Sequence, residues 1–325
     1  MSLNILNSLG ARRLGVATPR RTEKLAKLIS ECRPDVVALQ EVDEDQIFPI
    51  RQILNAEAGL DLADYFTNTD LPAKDGCAIF LRPDLLELVP GGRHSFRLNT
   101  LVDKHLPNLR GEISDRTHLE RALHRELREK RNLLSLVHAR LRPGLTNAAS
   151  AMATATAATS VFLGSGHLFW DPKFPDLKLL QSYLLAKEVS DISSKIPVVL
   201  GVDLNSLPDS AVSALLTSGK ISASHPEHPA ALRKTLHSDL MRGVRDDVLG
   251  DLEISYPLRS VMQTGEPEFT NSNPSGFRGC IDYALVSDAV RVRQARVLDT
   301  HGLSDHQAIL AHLVLYIFCV LHILS

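Results

Sequence analysis

Carboxylate, amide and histidine side chains lie at the ends of several short apolar runs of this sequence. A buried sheet built from such runs would present these side chains together at one edge. Carboxylates gathered in this way bind a hard divalent cation, and the added amide and imidazole suit a phosphate substrate. The side chains are Glu41, after Pro34–Gln40; Asp203 and Asn205, after Ile196–Val202; Asp282, after Gly279–Ile281; and Asp305 and His306, before Gln307–Leu310.

Asp203 and Asn205 are spaced so that both side chains would project from one side of an extended segment, because side chains alternate along it. The carboxylate could orient and deprotonate a water, and the neutral amide could donate to a phosphate oxygen without repelling it. The alternative for an Asp-x-Asn pair is a simple turn. Its position after an apolar run favours the catalytic interpretation.

The remaining polar groups each have a catalytic and a structural interpretation. Beside Asp305, a protonated His306 could stabilise charge on phosphorus; the alternative is a surface histidine next to an acid. Asp282 lies inside an apolar strand, where a carboxylate is costly without a histidine or a metal as partner. Glu41 begins an acidic stretch that suits either a cation or a solvated loop, and His167, near the single tryptophan, fits either role.

The composition excludes several classes of protein. The chain has 325 residues, of which 44% are apolar, which is enough for one large core or two smaller ones. The net charge of −2 argues against a protein that coats long duplexes, but not against an enzyme that binds a few nucleotides. The four cysteines form no C-x-x-C pair, which favours a reducing compartment without zinc–cysteine sites or a disulfide framework. No Walker, Rossmann or nucleophile-elbow motif occurs in the sequence.

Short apolar segments alternate with amphipathic ones, which predicts a layered α/β fold with helices covering one or two sheets. Residues 148–160 are rich in alanine, threonine and serine and predict a disordered loop without a catalytic role. The polar residues 222–240 also predict a loop. The predicted strands are Met1–Leu6, Val36–Leu39, Gly76–Leu81, Leu133–Leu141, Val161–Gly164, Pro197–Val202, Ile281–Ser287 and Val290–Val297, and the predicted helices are Arg20–Glu31, Asp45–Glu57, Thr117–Arg131, Lys178–Ser190 and Ser210–Thr217.

The sequence from Ala308 to Leu324 is almost wholly apolar. A membrane anchor would need roughly 20 apolar residues, and this shorter run begins directly behind Asp305 and His306. We therefore expect a final buried strand, Ala308–Leu315, followed by a short apolar extension, and no membrane partner. The first residues have neither the apolar length nor the basic start of a signal peptide.

Six short stretches, in chain order, resemble the motifs of the endonuclease/exonuclease/phosphatase superfamily, which is related to DNase I and the abasic-site endonucleases. The resemblance implies a single catalytic domain over residues 1–315, built as an α+β four-layer sandwich of two packed mixed β-sheets flanked by helices. Residues 316–325 would form the apolar extension. The stretches are Leu3–Leu6, Leu39–Val42, Gly166–Leu168, Gly201–Ser206, Ile281–Tyr283 and Ser304–His306.

Within the superfamily, the chain is most similar to the carbon-catabolite-repressor-type deadenylases, the nuclease subunits of the cytoplasmic deadenylation complex. This resemblance implies a 3′→5′ exoribonuclease that hydrolyses poly(A) tails with metal-activated water. Its cofactor would be one or two Mg²⁺ ions, with Mn²⁺ as a substitute, and its location the cytoplasm and additionally the nucleus. The stretches that carry it are His167–Lys178, Asp203–Ser210, and Glu268–Asn271 with Phe277–Gly279.

The resemblance also assigns roles at a metal and phosphate site. Glu41 would bind the magnesium ion, and Asn4 and Asp203 would lie close by as further metal ligands. Asn4 would contact the substrate as well, and Asp203 would orient the attacking water. Asn205 would hold the scissile phosphate, which His167 would also contact.

A second group of residues would act on the transition state and on the base. His306, backed by Asp282 and next to Asp305, would stabilise the developing charge. Asn271 and Phe277 would read and stack the terminal adenine of single-stranded RNA, whose exposed bases favour such contacts. The partners would be RNA with a poly(A) 3′ end and the subunits of the deadenylation complex. The sequence contains no leucine-rich repeat, the module that docks members of this family onto their complex.

Three other functions stay open. The first is a different phosphodiesterase of the same branch, of the nocturnin-like or 2′,5′-oligoadenylate-cleaving type. The second is an inactive RNA-binding or interaction module, and the third is a membrane-anchored phosphatase. Trp170–Pro172 and Ser206–Asp209 favour the deadenylase, and the presence of every expected catalytic residue type argues against an inactive module.

Overall fold

The computed structural model describes residues 1–17, 20–67, 75–106, 125–142, 160–194, 196–236, 250–262 and 265–315. Their strands form two six-stranded sheets and two small two-stranded ones. The strands are β1 Ser2–Asn4, β2 Val36–Asp43, β3 Asp61–Thr67, β4 Asp75–Leu81, β5 Leu86–Arg97, β6 Leu133–Leu141, β7 Ser160–His167, β8 Val198–Asp203, β9 Lys220–Ile221, β10 Leu252–Glu253, β11 Arg259–Ser260, β12 Asn271–Ser272, β13 Arg278–Gly279, β14 Asp282–Val286, β15 Val290–Leu298 and β16 Ala308–Leu315.

Both large sheets are mixed. The first has the strand order β15-β16-β1-β2-β4-β3, and the second has the order β11-β14-β8-β7-β6-β5. One parallel pair lies near the middle of each sheet: β1 with β2 in the first and β7 with β8 in the second. Parallel pairing brings the carboxyl ends of both strands to the same edge, so each sheet presents two strand ends side by side.

The helices cover the outer faces of the two sheets. The helix Glu44–Ala58 begins with a capping box between Asp43 and Gln46 and ends at Gly59, which has a φ of 66°. Pro175 is the first residue of the helix Pro175–Ser193, a position at which the N–H would have no partner within the helix. The helices are α1 Ser8–Arg13, α2 Arg21–Glu31, α3 Glu44–Ala58, α4 Val102–His105, α5 Pro175–Ser193, α6 Ala211–Ser218 and α7 Pro229–Leu236, with a 3₁₀ turn at Leu98–Leu101.

Apolar clusters lie between each pair of neighbouring layers. One cluster joins α2 and α3 to the first sheet, through residues such as Ile29 and Leu39. A larger one joins α5 and α6 to the second sheet, through residues such as Leu184 and Leu200. Two further clusters lie between the sheets themselves. This arrangement confirms the predicted four-layer sandwich of two packed mixed sheets with flanking helices.

The two sheets are in close contact beneath the edge that carries the polar strand ends. A side chain at Gly201 would place its Cβ 2.5 Å from the Ser2 hydroxyl, so the position requires glycine. Gln40 Nε2 donates across the interface to Ser165 Oγ at 3.0 Å and to the Gly201 carbonyl at 3.1 Å. Ser165 Oγ in turn donates to the Leu39 carbonyl at 2.7 Å. These buried hydrogen bonds fix the two sheets relative to each other.

Most predicted elements are found within a few residues of their predicted bounds, including the final strand β16. The prediction of a loop over residues 222–240 was wrong at α7, which begins at Pro229. Strands β3 and β5 were not predicted, because both are only partly buried and their apolar residues do not form a continuous run. Of the predicted helix Thr117–Arg131, residues 125–129 are helical and the part before residue 125 lies outside the described residues.

Two other predicted segments also fall outside the described ranges. Residues 148–159 of the alanine- and threonine-rich segment lie outside the described residues, while Ser160 begins β7. The apolar extension 316–325 does so entirely. Among the helices that the structure describes, none combines the length and the apolar character that crossing a bilayer requires.

Candidate active site

The polar residues predicted to act together lie at one edge of the sandwich, at strand ends from both sheets. Asn4 ends β1 and is paired in register with Gln40 of β2, one residue before Glu41. His167 ends β7 and is in register with Asp203 at the end of β8. Asp282, at the start of the antiparallel β14, lies opposite Asp203. The strand registers therefore gather these side chains before any loop contributes.

Glu41 is aimed by an irregularity in β2. The pairing of β2 with β4 shifts register between Leu39 and Val42, and Glu41 itself has a φ of 55°. A bulge of this kind turns a side chain away from the regular alternation of the strand, and a non-glycine residue in this conformation costs free energy. Asn7 compensates by donating from its backbone N–H and from Nδ2 to Glu41 Oε2, at 3.2 and 2.7 Å.

Asn4 joins the carboxylates of the two sheets. Its Nδ2 donates to Glu41 Oε1 and to Asp203 Oδ2, both at 2.9 Å, and its Oδ1 accepts from the Leu6 N–H. The side chain is fully buried, so its orientation is fixed by these three contacts. One amide nitrogen of Asn4 therefore holds two carboxylates, from different sheets, close together.

Asn205 lies on a turn and not on an extended segment. The strand ends at Asp203, and Asn205 adopts a φ of 48° while its N–H donates to Asp203 Oδ1 at 2.9 Å. The prediction that Asp203 and Asn205 project to one side of an extended strand was therefore wrong. They still share one site, because Asn205 Nδ2 lies 3.1 Å from His167 Nε2 and donates to the Leu168 carbonyl.

His306 and Asp282 form a buried pair. His306 Nδ1 lies 2.9 and 3.1 Å from the two oxygens of Asp282. Thr270 holds the carboxylate: its Oγ1 donates to Asp282 Oδ2 at 2.7 Å and accepts from the N–H groups of Ile281 and Asp282. The other ring nitrogen, Nε2, lies 3.9 Å from Asp203 Oδ2 and faces the remaining site. Asp282 thus has the histidine partner that its buried position demanded.

Asn271, Asp305 and Phe277 lie next to this pair. Asn271 is bridged to His306 through the backbone, and its Nδ2 donates to Asp305 Oδ2 at 3.1 Å. Asp305 Oδ1 is buried, has no hydrogen-bond partner, and lies 3.9 Å from His306 Nε2. Phe277 remains 41% exposed at the rim. The assignments of roles to these residues, and to the other predicted site residues, stay predictions.

Three residues of the site, Asn7, Asp75 and Lys178, were not predicted from the sequence. Asn7 supports Glu41 and also caps α1; Asp75 adds a third carboxylate, with its Oδ2 3.4 Å from Asn7 Nδ2. Lys178 donates from Nζ to the Asn205 carbonyl at 2.5 Å and fixes the turn. Burial raises the pKa of Asp75, and the nearby Glu41 raises it further. An asparagine after a strand and an acid before one are too common to stand out without the fold.

The donor set fits a divalent cation. Ligand atoms of Glu41, His167 and Asp203 lie within 4.8 Å of one another, as do those of Asp203, Asp282 and His306. Burial raises the pKa of Asp203, and the charge of Asp282 raises it further, against the opposing effects of both histidines and Asn4. A cluster in which carboxylates resist ionisation is one in which a bound cation would be stabilising.

The charge of His306 gives a testable prediction. Burial lowers its pKa, but Asp282, by charge and hydrogen bond, and then Asp203 and Asp305 raise it to about 10. We therefore expect NMR titration of the metal-free protein to show a protonated imidazole from pH 6 to 9. Because the folded pKa exceeds the unfolded value of about 6.5, this pair stabilises the fold fully below that value and loses its effect as pH rises towards 10. Titration of His306 near neutral pH would contradict this expectation.

The sequence matches the model of the Endonuclease/Exonuclease/phosphatase family over residues 1–306. The chain belongs to this family. Its predicted membership is thereby confirmed, and its sequence is distantly related to those of Ccr4-type proteins.

Individual relatives support the same relationship at low identity. The chain is 26% identical over 289 residues to CCR4-NOT transcription complex subunit 6-like-B of Xenopus laevis, covering 82% of this chain and 50% of that protein. It is 24% identical over 301 residues to mouse 2′,5′-phosphodiesterase 12, covering 89% of this chain and 43% of that protein. The chain thus spans about half the length of these curated relatives.

A solved structure confirms the fold independently. The crystal structure of ANGEL2, described as a 2′,3′-cyclic phosphatase, in complex with adenosine-2′,3′-vanadate superposes with a TM-score of 0.66 at 19% identity. The match covers 96% of this chain and 94% of that one.

Proposed function

We propose that this protein is a magnesium-dependent 3′→5′ exoribonuclease that removes adenylate residues from poly(A) tails. The observation that carries the proposal is that two groups of side chains lie together at one edge of the sandwich. One is a cluster of acids suited to a metal ion, and the other is a pair suited to a phosphate. The acid cluster contains Glu41 and Asp203, joined by Asn4; the pair is Asn205 with His167, 3.1 Å apart. The distant likeness to proteins named as CCR4-NOT subunits supports RNA as the substrate.

In this proposal, Glu41 and Asp203 hold the magnesium ion, and manganese can substitute for it. The predicted role of Asn4 as a metal ligand is corrected by the structure: Asn4 turns its amide nitrogen, which cannot bind a cation, towards both carboxylates and orients them. The bound ion would supply Lewis-acid activation of the phosphate and lower the pKa of an attacking water. Asp203 orients that water and accepts its proton. Its carboxylate is held in position for this role because Oδ1 accepts a hydrogen bond from the Asn205 N–H. His167 and Asn205 bind the non-bridging oxygens of the scissile phosphate, and Asn4 contacts the substrate beside them.

His306 stabilises the negative charge that develops on phosphorus. Asp282 keeps its imidazole protonated and correctly oriented, and Asp305 adds to the field that favours the charged form. A protonated donor in a buried, low-dielectric position is worth more than the same donor in water, because no solvent competes for its hydrogen bond. His306 therefore acts on the transition state and not on substrate binding.

Asn271 and Phe277 provide the selectivity for adenine. Asn271 is held by Asp305, so its amide presents a fixed pattern of donor and acceptor to a base edge. Phe277 offers an exposed aromatic face on the same segment, across the β12–β13 hairpin. Stacking on such a face contributes about 1–3 kcal/mol per base. Subunits of a deadenylation complex would be the protein partners, and the cytoplasm and nucleus the locations, of an enzyme with this activity.

A second candidate is a phosphodiesterase that acts on 2′,5′-linked oligoadenylate. It is favoured by the similarity to mouse 2′,5′-phosphodiesterase 12, which is close to that of the CCR4-NOT relatives. The same metal and phosphate residues would serve both substrates, because the reaction at phosphorus is the same. The two substrates differ in the ribose oxygen that is linked to the phosphate, and so in how the ribose approaches the acids. Activity measured on a panel of both substrates distinguishes the two candidates.

The deciding experiment is a gel assay on 5′-labelled RNA that ends in an A-tract, with magnesium, for wild type and Glu41→Gln. We expect wild type to shorten the RNA from its 3′ end and to stall at the first non-adenine residue, and Glu41→Gln to be inactive. Asp45→Asn, an exposed acid four residues further along, is the matched control and should behave as wild type. Faster cleavage of 2′,5′-oligoadenylate than of the A-tract by wild type would overturn the proposal in favour of the second candidate.

A further inference from the structure

Trp170 is the single tryptophan of the chain and is 67% exposed. It lies three residues beyond His167, so its Cα is within about 11 Å of a residue proposed to bind the scissile phosphate. An isolated exposed apolar residue is common and needs no explanation. The surroundings of Trp170 are not those of an isolated residue.

The loop that carries Trp170 is held rigidly to the site. The Leu168 N–H donates to the Asp203 carbonyl at 2.9 Å, and the Leu168 carbonyl accepts from Asn205 Nδ2. The Phe169 N–H donates to Gln181 Oε1 at 2.9 Å, and Gln181 Nε2 donates to Asn132 Oδ1. An exposed indole on a fixed backbone loses little conformational entropy when a flat ligand stacks on it.

Two further aromatic rings and two lysines lie in or beside the loop that carries Trp170. The ring of Phe169 lies 6.1 Å from that of Trp170, tilted by 52°, and 5.8 Å from the ring of Phe174. Lys130 Nζ lies 4.7 Å from the centre of the Phe169 ring, and Lys173 is exposed in the same loop. Grooves that bind single-stranded nucleic acid combine these two features: aromatic faces for the bases and positive charge for the backbone.

We propose that Trp170 stacks on a nucleobase of the RNA on the 5′ side of the scissile bond, beyond the nucleotide next to that bond, with Lys130 and Lys173 beside the strand. The ligand is thus a single-stranded oligonucleotide of several residues, gripped at a subsite separate from Phe277. This inference rests on the proposed function, because it requires a polymeric substrate. It explains how a chain with a net charge of −2 could hold RNA through stacking and a few local cations.

The first test uses the fluorescence of Trp170, which no other tryptophan obscures. A non-hydrolysable phosphorothioate hexaadenylate, added in EDTA, should quench the emission, whereas AMP and a dinucleotide of the same chemistry should not. Binding of the hexanucleotide, followed independently by anisotropy of a 5′ dye, without any change in emission would overturn the inference. This test needs no catalysis, so it gives a result even if the protein does not hydrolyse poly(A).

The second test compares substrate lengths in Trp170→Ala, Trp170→Phe and the control Phe48→Ala, which removes another exposed aromatic, from α3. We expect Trp170→Ala to raise KM for the hexanucleotide about tenfold and to leave dinucleotide hydrolysis unchanged. Trp170→Phe should restore most of the difference, and Phe48→Ala should match wild type. Equal losses on both lengths, or none on either, would overturn the inference while the proposed function stands.

Discussion

Asp203→Asn is expected to reduce kcat for phosphodiester hydrolysis by at least about 10³-fold, because it removes both the proposed base and a metal ligand. Asparagine preserves the volume of the side chain and one acceptor oxygen, so the fold should survive. Asp203 is buried opposite Asp282, and its pKa lies above the usual value. Above the unfolded pKa of about 3.9, the ionised carboxylate of the metal-free protein therefore lowers stability progressively as pH rises.

Thermal unfolding separates this effect from simple damage to the fold. In EDTA, the wild type should lose stability as pH rises through the raised pKa of Asp203, and Asp203→Asn should lack that part of the decline. Magnesium should raise the melting temperature of wild type and have little effect on the variant, because binding stabilises only the form that binds. Asp288→Asn, at a carboxylate that is 93% exposed in the turn between β14 and β15, is the control. A variant that keeps the magnesium shift would refute Asp203 as a ligand.

His306→Gln is expected to lower kcat by about 10²–10³-fold and to leave KM within a few-fold of wild type. Removal of one preorganised donor to a developing charge has effects of this size elsewhere, and the contact matters only in the transition state. Glutamine retains a donor of similar reach but cannot carry the positive charge that Asp282 maintains on the imidazole. The comparison of His306→Gln with wild type therefore measures the contribution of the imidazolium charge more than that of its hydrogen bond.

Two further variants complete this measurement. His301→Gln, five residues earlier and with a side chain that is 73% exposed, should retain full activity. Asp282→Asn should fall between wild type and His306→Gln at neutral pH, because it leaves the imidazole in place but removes the charge that raises its pKa. Magnesium should still raise the melting temperature of all of them, because Glu41 and Asp203, the residues proposed to hold the ion, are retained. A rise in KM that accounts for the whole loss in His306→Gln would assign His306 to substrate binding.

The sequence identifies the buried strands and the residues at their ends, because both signals are local. A continuous β-branched run such as that before Glu41 or Asp203 needs no knowledge of its neighbours to be recognised as a strand. The half-exposed strands β3 and β5 lack that signal. Their formation depends on pairing with β4 and β6, and no short stretch of sequence encodes this dependence.

What the sequence alone leaves unresolved is how the side chains are aimed. Glu41 is turned inward by a bulge, Asn205 by a left-handed turn, and Asp282 is held by Thr270, twelve residues earlier. Each of these depends on a partner that is distant in sequence or on a backbone conformation without a strong residue signature. Candidate site residues can therefore be proposed from one sequence, whereas the geometry that brings them together requires the packed sheets.

The neighbouring positions of β1 and β16 have a consequence for biosynthesis. Asn4 and His306 belong to one site, and Ser304 Oγ donates to the Asn4 carbonyl although 300 residues separate them. On the ribosome, Asn4 is synthesised long before His306. The acid–histidine cluster is therefore incomplete on a nascent chain until the segment that carries His306 has been synthesised and has emerged from the ribosome.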